Sequence, residues 1–491
     1  MEILSDKLEL IRMSISFFVP ELILSIGILI IIIAGLIKKE NLSLLSFFSL
    51  GIVALSLGYG VVQTRQHILP VNLFVGMIRV DGFSGYLKIL IDIGALLTVL
   101  MTWKNQKEQK HLPEYYAMIV AVVLGAHLLV MSMNLIMVFL SLELISISSY
   151  ILAGFSFSRK GSEAGLKYFL FGSVASAVML YGFSLLYGLT GSLDFSSFIY
   201  HQMVKNPPLF LIGGFMALVG FFYKIAAAPL HPWSPDVYEA APMPIVAFFS
   251  VVPKLAGIGV LSKFILTVNI MSQSAYPWQI IICIVTILSL TVGNFSALWQ
   301  KNVKRLMAYS SIAQSGFLLV GVATFLPQGI HYMLFYATVY MLMNFLVFIY
   351  LQQFESQGMH EISSFSGVGR SQPLASIFLL LGFIALIGLP PTAGFMGKFF
   401  IFSSLWESYQ LSGQSILLLL FIFGLLNAAV SLFYYLRIPY YAFIKSGESN
   451  IKTNILTFEN LLGLILVISV LYLFFSPGLL MGWINKINFA L

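Results

Sequence analysis

Apolar stretches of about 20 residues follow one another along almost the whole chain, each separated from the next by a short polar break. A helix of that length crosses the roughly 30 Å hydrocarbon core of a bilayer, and in hydrocarbon a backbone must satisfy its own hydrogen bonds. Such stretches therefore fold as membrane-crossing helices. Runs and breaks mark fourteen of them, at 17–37, 42–62, 82–103, 114–132, 134–155, 163–188, 208–228, 244–268, 277–299, 303–324, 329–353, 373–404, 415–438 and 456–481. The joint at Ser132–Asn134 is short enough to merge two spans. The expected fold is all-α and polytopic.

Only 9% of residues are charged, against about 25% in a soluble domain, which excludes water-soluble enzymes. No stretch reads as strand, so no phosphate-cradling loop beside a strand is expected. The single cysteine, Cys283, sits in an apolar run and reads as a core residue. One cysteine holds no cluster, disulfide or thiolate zinc site. The start of the chain, MEILSDKLELIRMS, is mixed in charge and shows no cleavage site, so no removable signal peptide is expected.

The net charge of +7 reports loops rather than nucleic acid. Of the 26 basic residues, Lys88, Lys167, Lys224, Lys254, Lys263 and Lys398 fall within candidate spans. The rest divide fourteen to six in favour of the side that carries Lys38 and Lys39. That side is expected to be cytoplasmic, which puts both termini outside.

The six lysines within spans differ. Lys88 has Asp92 one helical turn on, which predicts a self-neutralised pair. Lys263 lies near a span end and is expected to snorkel; Lys167, in EAGLKYFLFG, has the same option. Lys254 is mid-span beside Pro253. Lys224 and Lys398 flank proline breaks, in FFYKIAAAPLHPW and GLPPTAGFMGKF. A lysine at bilayer depth costs roughly 2.5–3.5 kcal/mol on insertion scales, so its place there has a function to account for it. Residues 208–240 as one helix would be a rod of about 50 Å, too long for one crossing. Pro229, Pro232 and Pro235 predict a half-helix, a turn and a second short piece; Pro390 and Pro391 predict the same within 373–404. In the first segment the lysine precedes the prolines and in the second it follows them, the order that inverted repeats present.

Glu143, in FLSLELISISSY, lies mid-span. It either bonds to the hydroxyls around it (Ser141, Ser146, Ser148, Ser149) or pairs with a lysine from another helix. At about 7 Å and an effective dielectric of 20, such a pair gains roughly 2.4 kcal/mol. His231 sits inside the PLHPW break, and an ordinary pKa of about 6.5 suits proton hand-over. His127 and His331 read as satisfied core residues. A row of Glu143, Lys224, Lys254, His231 and Lys398 is expected to pass protons laterally at mid-membrane. Asp236 and Glu239, in SPDVYEAAP, are expected on the cytoplasmic rim, where they cap helix ends.

The strings KIAAAPLHPWSPDVYEAAPMPIVAFFSVVPKLA, KNVKRLMAYSSIAQSGFLLVG, GLPPTAGFMGKFFIF, LELISISSYILAGFS and EAGLKYFLFGSVASAVMLYGFSLLYGLTG resemble the antiporter-like membrane subunits of respiratory complex I. The resemblance covers most of residues 112–440. It implies fourteen helices with two inverted five-helix repeats, each containing a broken helix. The implied domains are an N-terminal three-helix segment (1–112), a first repeat (113–268), a second, inverted repeat (269–445) and a C-terminal helix (446–491). It implies Glu143 and Lys224 as input pair, Lys254 and His231 as middle relay, Lys398 as exit and Lys167 as modulator. The implied protein is a non-redox, proton-translocating subunit of an NADH:quinone oxidoreductase in a bacterial plasma membrane. Its partners would be the other membrane and peripheral subunits. NADH, flavin, iron–sulfur clusters and quinone are expected in those subunits, with no cofactor or metal in this chain. A subunit of a cation/proton antiporter or membrane-bound hydrogenase complex is the alternative on the same fold. Two features separate sibling branches: the chain stops about ten residues after the last span, without a long lateral helix, and it has Lys398 where one branch has an acid. One departure is EAAP, with Ala240 where relatives commonly have glycine; it matters only if that backbone needs a positive φ.

Overall fold

The computed structural model describes residues 11–37, 42–66, 70–103, 111–195, 207–272, 278–447 and 457–487. The loop lysines Lys38, Lys39, Lys104, Lys107, Lys110, Lys205 and Lys452, on which the orientation reading leans, lie outside them.

The apolar runs fold as helices: α1 (Val19–Ile37), α2 (Leu42–Gln66), α3 (Gly82–Trp103), α4 (Leu112–Met131), α5 (Leu135–Ala153), α6 (Arg159–Thr190), α7 (Pro207–Lys224), α8 (Trp233–Ala240), α9 (Met243–Ser272), α10 (Trp278–Leu298), α11 (Val303–Ala323), α12 (Pro327–Glu355), α13 (Pro373–Ile387), α14 (Ala393–Ser412), α15 (Ser415–Tyr435), α16 (Phe458–Phe475) and α17 (Pro477–Ile484). Among the described residues, twelve helices are long and apolar enough to cross a membrane. Two shorter apolar helices, Pro208–Lys224 and Pro373–Ile387, are the pieces that precede the proline breaks. Each of the fourteen segments read from the sequence carries a helix, and the two that prolines interrupt are divided as expected.

The helix ends follow local chemistry. Asn134, Ser158, Asn302 and Thr457 cap α5, α6, α11 and α16 by accepting from a first-turn N–H. Proline stands in the first turn of α4, α12, α13 and α17, where the missing N–H is not needed. The Ser132–Asn134 joint does not merge two spans: the Asn134 cap starts α5 afresh, with its side chain accepting from Ile136 N. Ala240 ends α8 outside the left-handed region, so the alanine costs the backbone nothing.

One expectation fails. A two-stranded antiparallel hairpin, β1 (Val71–Leu73) with β2 (Ile78–Val80), links α2 to α3. The segment VNLFVGMIRV alternates poorly, but it has β-branched residues on both sides of Gly76, which turns at φ 87. A strand signal of three residues is hidden in a chain this apolar.

The fold has two units. One comprises Met1–Ile225, Ala240–Trp278 and Lys486–Leu491; the other comprises Ala226–Glu239 and Gln279–Asn485. In the first, α9 is buried along its whole crossing. In the second, α11 and α12 are nearly so. Each unit thus has a buried core helix; α9 carries Lys254 and α11 carries Gln314.

Candidate functional site

In the first unit, Glu143 and Ser146 share one face of α5, a turn apart. Ser176 on α6 donates to Glu143 Oε1, and Lys224 at the end of α7 donates from Nζ to Ser146 Oγ at 3.1 Å. Lys224 therefore reaches the helix that carries Glu143, but through a serine. The hydroxyl that holds Glu143 comes from Ser176 of α6 rather than from the serines around it, and Lys224 stands at Ser146, one turn away. Lys224 is 2% exposed, whereas Glu143 is half-buried.

The stem of Lys224 leads on to α9. A Cβ placed on Gly257 would lie 3.6 Å from both Cβ and Cγ of Lys224. Gly257 is three residues, or about 4.5 Å of helix rise, from Lys254. Lys254 is 1% exposed. Glu143, Lys224 and Lys254 thus fall in one row across α5, α7 and α9. Tyrosines border it: Tyr223 Oη donates to Tyr168 O at 2.8 Å, and Tyr150 packs edge-on against Tyr168 at 4.8 Å between centroids. A methyl group at Gly172 would overlap the Tyr150 hydroxyl.

Lys167 stands apart from this contact. It pairs with Glu163 at 2.9 Å, one turn away on α6, with both side chains substantially exposed.

The second unit contains the rest. Beyond Lys224 the backbone turns through Ala226 at φ 54, an uncommon conformation for a residue with a side chain. Ala228 N is held by Ser289 Oγ at 2.9 Å. Pro229 and Pro232 are exposed in this turn and His231 is half-buried, its Nδ1 without a hydrogen-bond partner among the described residues. Asp236 and Glu239 on α8 both accept from Arg305 Nη1, at 2.8 and 3.0 Å, so they anchor α8 to α11.

At the second break, Pro390 and Pro391 are exposed and Gly388 turns the chain at φ 84. Lys398 on α14 folds back: Nζ donates to Leu386 O at 3.1 Å and Ile387 O at 2.7 Å, and lies 4.2 Å from the centroid of the Phe317 ring. The last carbonyls of a helix have no partner within it and carry the negative end of its dipole. An ammonium answers both needs. Lys398 also borders a cavity of about 640 Å³ that is otherwise mostly apolar, between α14 and α15.

Sequence reasoning missed the polar network behind Lys398. Gln314 on α11 donates to Leu386 O at 3.3 Å and to Tyr435 Oη at 3.2 Å, and accepts from the Tyr336 hydroxyl. Ser310 bonds to Tyr435, and Tyr434 Oη donates to Asn294 Oδ1 at 3.0 Å. All are buried. The signal was the polar run YSSIAQSG within an apolar span.

Two sequence expectations are corrected in the first unit. Lys88 does not neutralise Asp92 on its own helix; it pairs with Glu21 of α1 at 2.7 Å, because Glu21 faces inward from a span whose other side is apolar. Lys263 does not snorkel: it is 3% exposed and stands 3.3 Å from Asp81. Its ammonium is buried beside the Phe83 ring of α3 and takes a carboxylate there. His127 is buried, as read from the sequence, and its two nitrogens face Glu21 and Asp92.

Residues 132–425 match the family described as NADH:quinone oxidoreductase/Mrp antiporter, transmembrane. NADH-quinone oxidoreductase subunit N from Chlorobium chlorochromatii is 37% identical over 95% of this chain and 94% of its own length. The respiratory complex I structure from Thermus thermophilus contains a similar chain, with 29% identity and a TM-score of 0.80 over 96% of this chain and 100% of that one. A chain of an archaeal membrane-bound sulfane sulfur reductase has the same fold, at a TM-score of 0.85 and 23% identity over 96% of each chain. The chain belongs to the NADH-quinone oxidoreductase subunit N family, antiporter-like membrane subunits of the multisubunit complex I assembly.

Proposed function

We propose that this chain moves protons across the membrane through Glu143, Lys224, Lys254, His231 and Lys398, driven by electron transfer in other subunits. The observation that carries this is the row in the first unit: Lys224 bonds to Ser146, one turn from Glu143, while its stem packs one turn from Lys254. An acid and two amines so placed exchange a proton when their spacing changes, because each partner's charge sets its neighbour's proton affinity. Glu143 takes the input role, Lys254 and His231 the middle, and Lys398 the exit, with Lys167 tuning the input side. Exchange at Lys398 requires its bonds to Leu386 O and Ile387 O to break.

The chain carries no redox group in this reading. NADH, flavin, iron–sulfur clusters and quinone are assigned to partner subunits, which supply the energy as a conformational or electrostatic push. The setting is a bacterial plasma membrane with both termini on the outer face. In proteoliposomes of the assembled complex, Lys224→Ala is expected to leave assembly intact and abolish proton uptake driven by NADH oxidation. Normal proton uptake by that variant overturns the proposal. Uptake that vanishes with a sodium ionophore favours the cation/proton antiporter reading of the same fold.

A further inference from the structure

Four ionisable side chains lie buried together in the first unit, and the proposed path uses none of them. Lys88 Nζ is 2.7 Å from Glu21 Oε1, and the same oxygen is 3.2 Å from His127 Nδ1. His127 Nε2 is 3.1 Å from Asp92 Oδ1, an ion-pair distance without hydrogen-bond geometry. Ser56 Oγ donates to Asp92 Oδ2 at 3.0 Å, and Lys88 Nζ to Gln63 Oε1 at 3.5 Å. Glu21 Oε2 has no hydrogen-bond partner among the described residues. Glu21, Lys88, Asp92 and His127 are each 0–1% exposed.

Their charges do not cancel with a neutral ring. Two carboxylates and one ammonium leave one negative charge, and an uncompensated buried charge is heavily penalised. The ring offers the remedy. A neutral imidazole leaves the cluster one charge short, whereas an imidazolium donates to Glu21 through Nδ1 and sets a positive charge 3.1 Å from Asp92 Oδ1. Among the described residues no three His, Cys, Asp or Glu side chains converge as metal ligands do, so the geometry favours a proton. The other charged groups on elements packed against α4 are Arg65 on α2, Arg79 on β2, Glu143 on α5, and Lys254 and Lys263 on α9, the last held by Asp81.

The cluster lies at the depth of the row. A Cβ on Gly125 would stand 3.1 Å from Ile145 N and 3.2 Å from Ser141 O, so α4 crosses α5 at the level of Glu143. His127 is two residues on, about 3 Å along the axis. On the other side, α9 runs antiparallel to α3: Lys263 meets Asp81, and a Cβ on Gly259 would touch Leu87. Continuing that register brings Lys254 level with Asp92.

We propose that Glu21, Lys88, Asp92 and His127 form a second proton-binding site, with the proton on the His127 ring, and that it serves as a reservoir for the Glu143–Lys224–Lys254 row. The reservoir role rests on the proton-carrying reading above; the binding does not. Release of the proton to the row leaves the cluster net negative, and that charge draws the next proton from water.

The test uses the full chain with His127 kept, its other histidines replaced by glutamine, and labelled with ¹⁵N-histidine in lipid nanodiscs. NMR is expected to show both ring nitrogens protonated at a pH where an ordinary imidazole is neutral, and Asp92→Asn to leave the ring singly protonated at that pH. A singly protonated ring at that pH with Asp92 in place overturns the site. If the histidine-depleted chain misfolds, the wild-type spectrum minus that of His127→Gln gives the same readout. In the assembled complex, Asp92→Asn is expected to lose protons moved per electron while NADH oxidation by a soluble acceptor persists. A normal ratio there, with Glu143→Gln defective, overturns the reservoir alone. Normal pumping by Glu143→Gln overturns the row and the reservoir together and leaves the ring measurement to decide the binding.

Discussion

Lys398 closes the open end of the half-helix that Ile387 terminates: its ammonium donates to Ile387 O at 2.7 Å and to Leu386 O at 3.1 Å across the Pro390–Pro391 break. The charge is thus held by backbone dipoles and the face of Phe317. Arginine keeps charge there but does not give up its proton in the working range. Lys398→Arg is expected to assemble and to lose proton translocation, measured as acidification in proteoliposomes during NADH oxidation. Full pumping by the arginine variant would show that fixed charge suffices at this position.

Glu143 is held by Ser176 in a way that glutamine can imitate, since the amide oxygen accepts as the carboxylate does. Glu143→Gln should therefore assemble normally. It removes the titratable group and the charge near Lys224. Coupled translocation is expected to fall by about tenfold or more, equivalent to ~1.4 kcal/mol in the rate-limiting step. Glu143→Asp should recover part of the loss. Equal activity in all three proteins would remove Glu143 from the path.

Two glycines separate backbone strain from crowding of Lys398. Gly388 has φ 84, and a Cβ there would come within 2.8 Å of Lys398 Cδ. Gly413 has φ 67 and nothing within 4 Å of such a Cβ. Alanine at either position costs about 1–2 kcal/mol for the left-handed backbone. Both variants should show a similar loss of thermal stability from that term, read by thiol-dye or fluorescence unfolding of the purified complex. Only Gly388→Ala should also impair pumping, because only there does the methyl group displace the lysine. Impaired pumping by Gly413→Ala would assign the effect to general destabilisation.

The helices and their breaks were legible because hydrocarbon imposes one rule on every span, and proline and lysine violate it visibly. Lys224, Lys254 and Lys398 were found on that ground alone. Glu21 was not, because an acid near the start of an apolar run looks like a helix-start residue at the membrane surface. Its partners Lys88 and His127 are 67 and 106 positions further along the chain, and one sequence gives no sign of which distant residues meet. Lys88 and Asp92 were paired wrongly for the same reason: helical spacing was visible and the neighbouring helices were not. Gln314 was legible only as part of a polar run, since its partners Tyr336 and Tyr435 come from separate helices.

Gln314 ties three groups together: its amide donates to Leu386 O and Tyr435 Oη, and its oxygen accepts from Tyr336. Gln314→Leu keeps the volume and removes every one of these bonds. The Leu386 carbonyl is still met by Lys398, whereas the Tyr336 hydroxyl loses its acceptor in a buried place. An unsatisfied buried group costs about 1–3 kcal/mol, so the leucine variant should be measurably less stable. Adding Tyr336→Phe removes the stranded hydroxyl, and replacing both partners with apolar groups of the same shape is nearly neutral. The double variant should therefore be more stable than Gln314→Leu alone, a coupling that unfolding of the four proteins of the cycle will measure. If the double variant is instead less stable by the sum of the two single effects, Gln314 and Tyr336 act independently. The network behind Lys398 would then be two separate contacts that happen to adjoin.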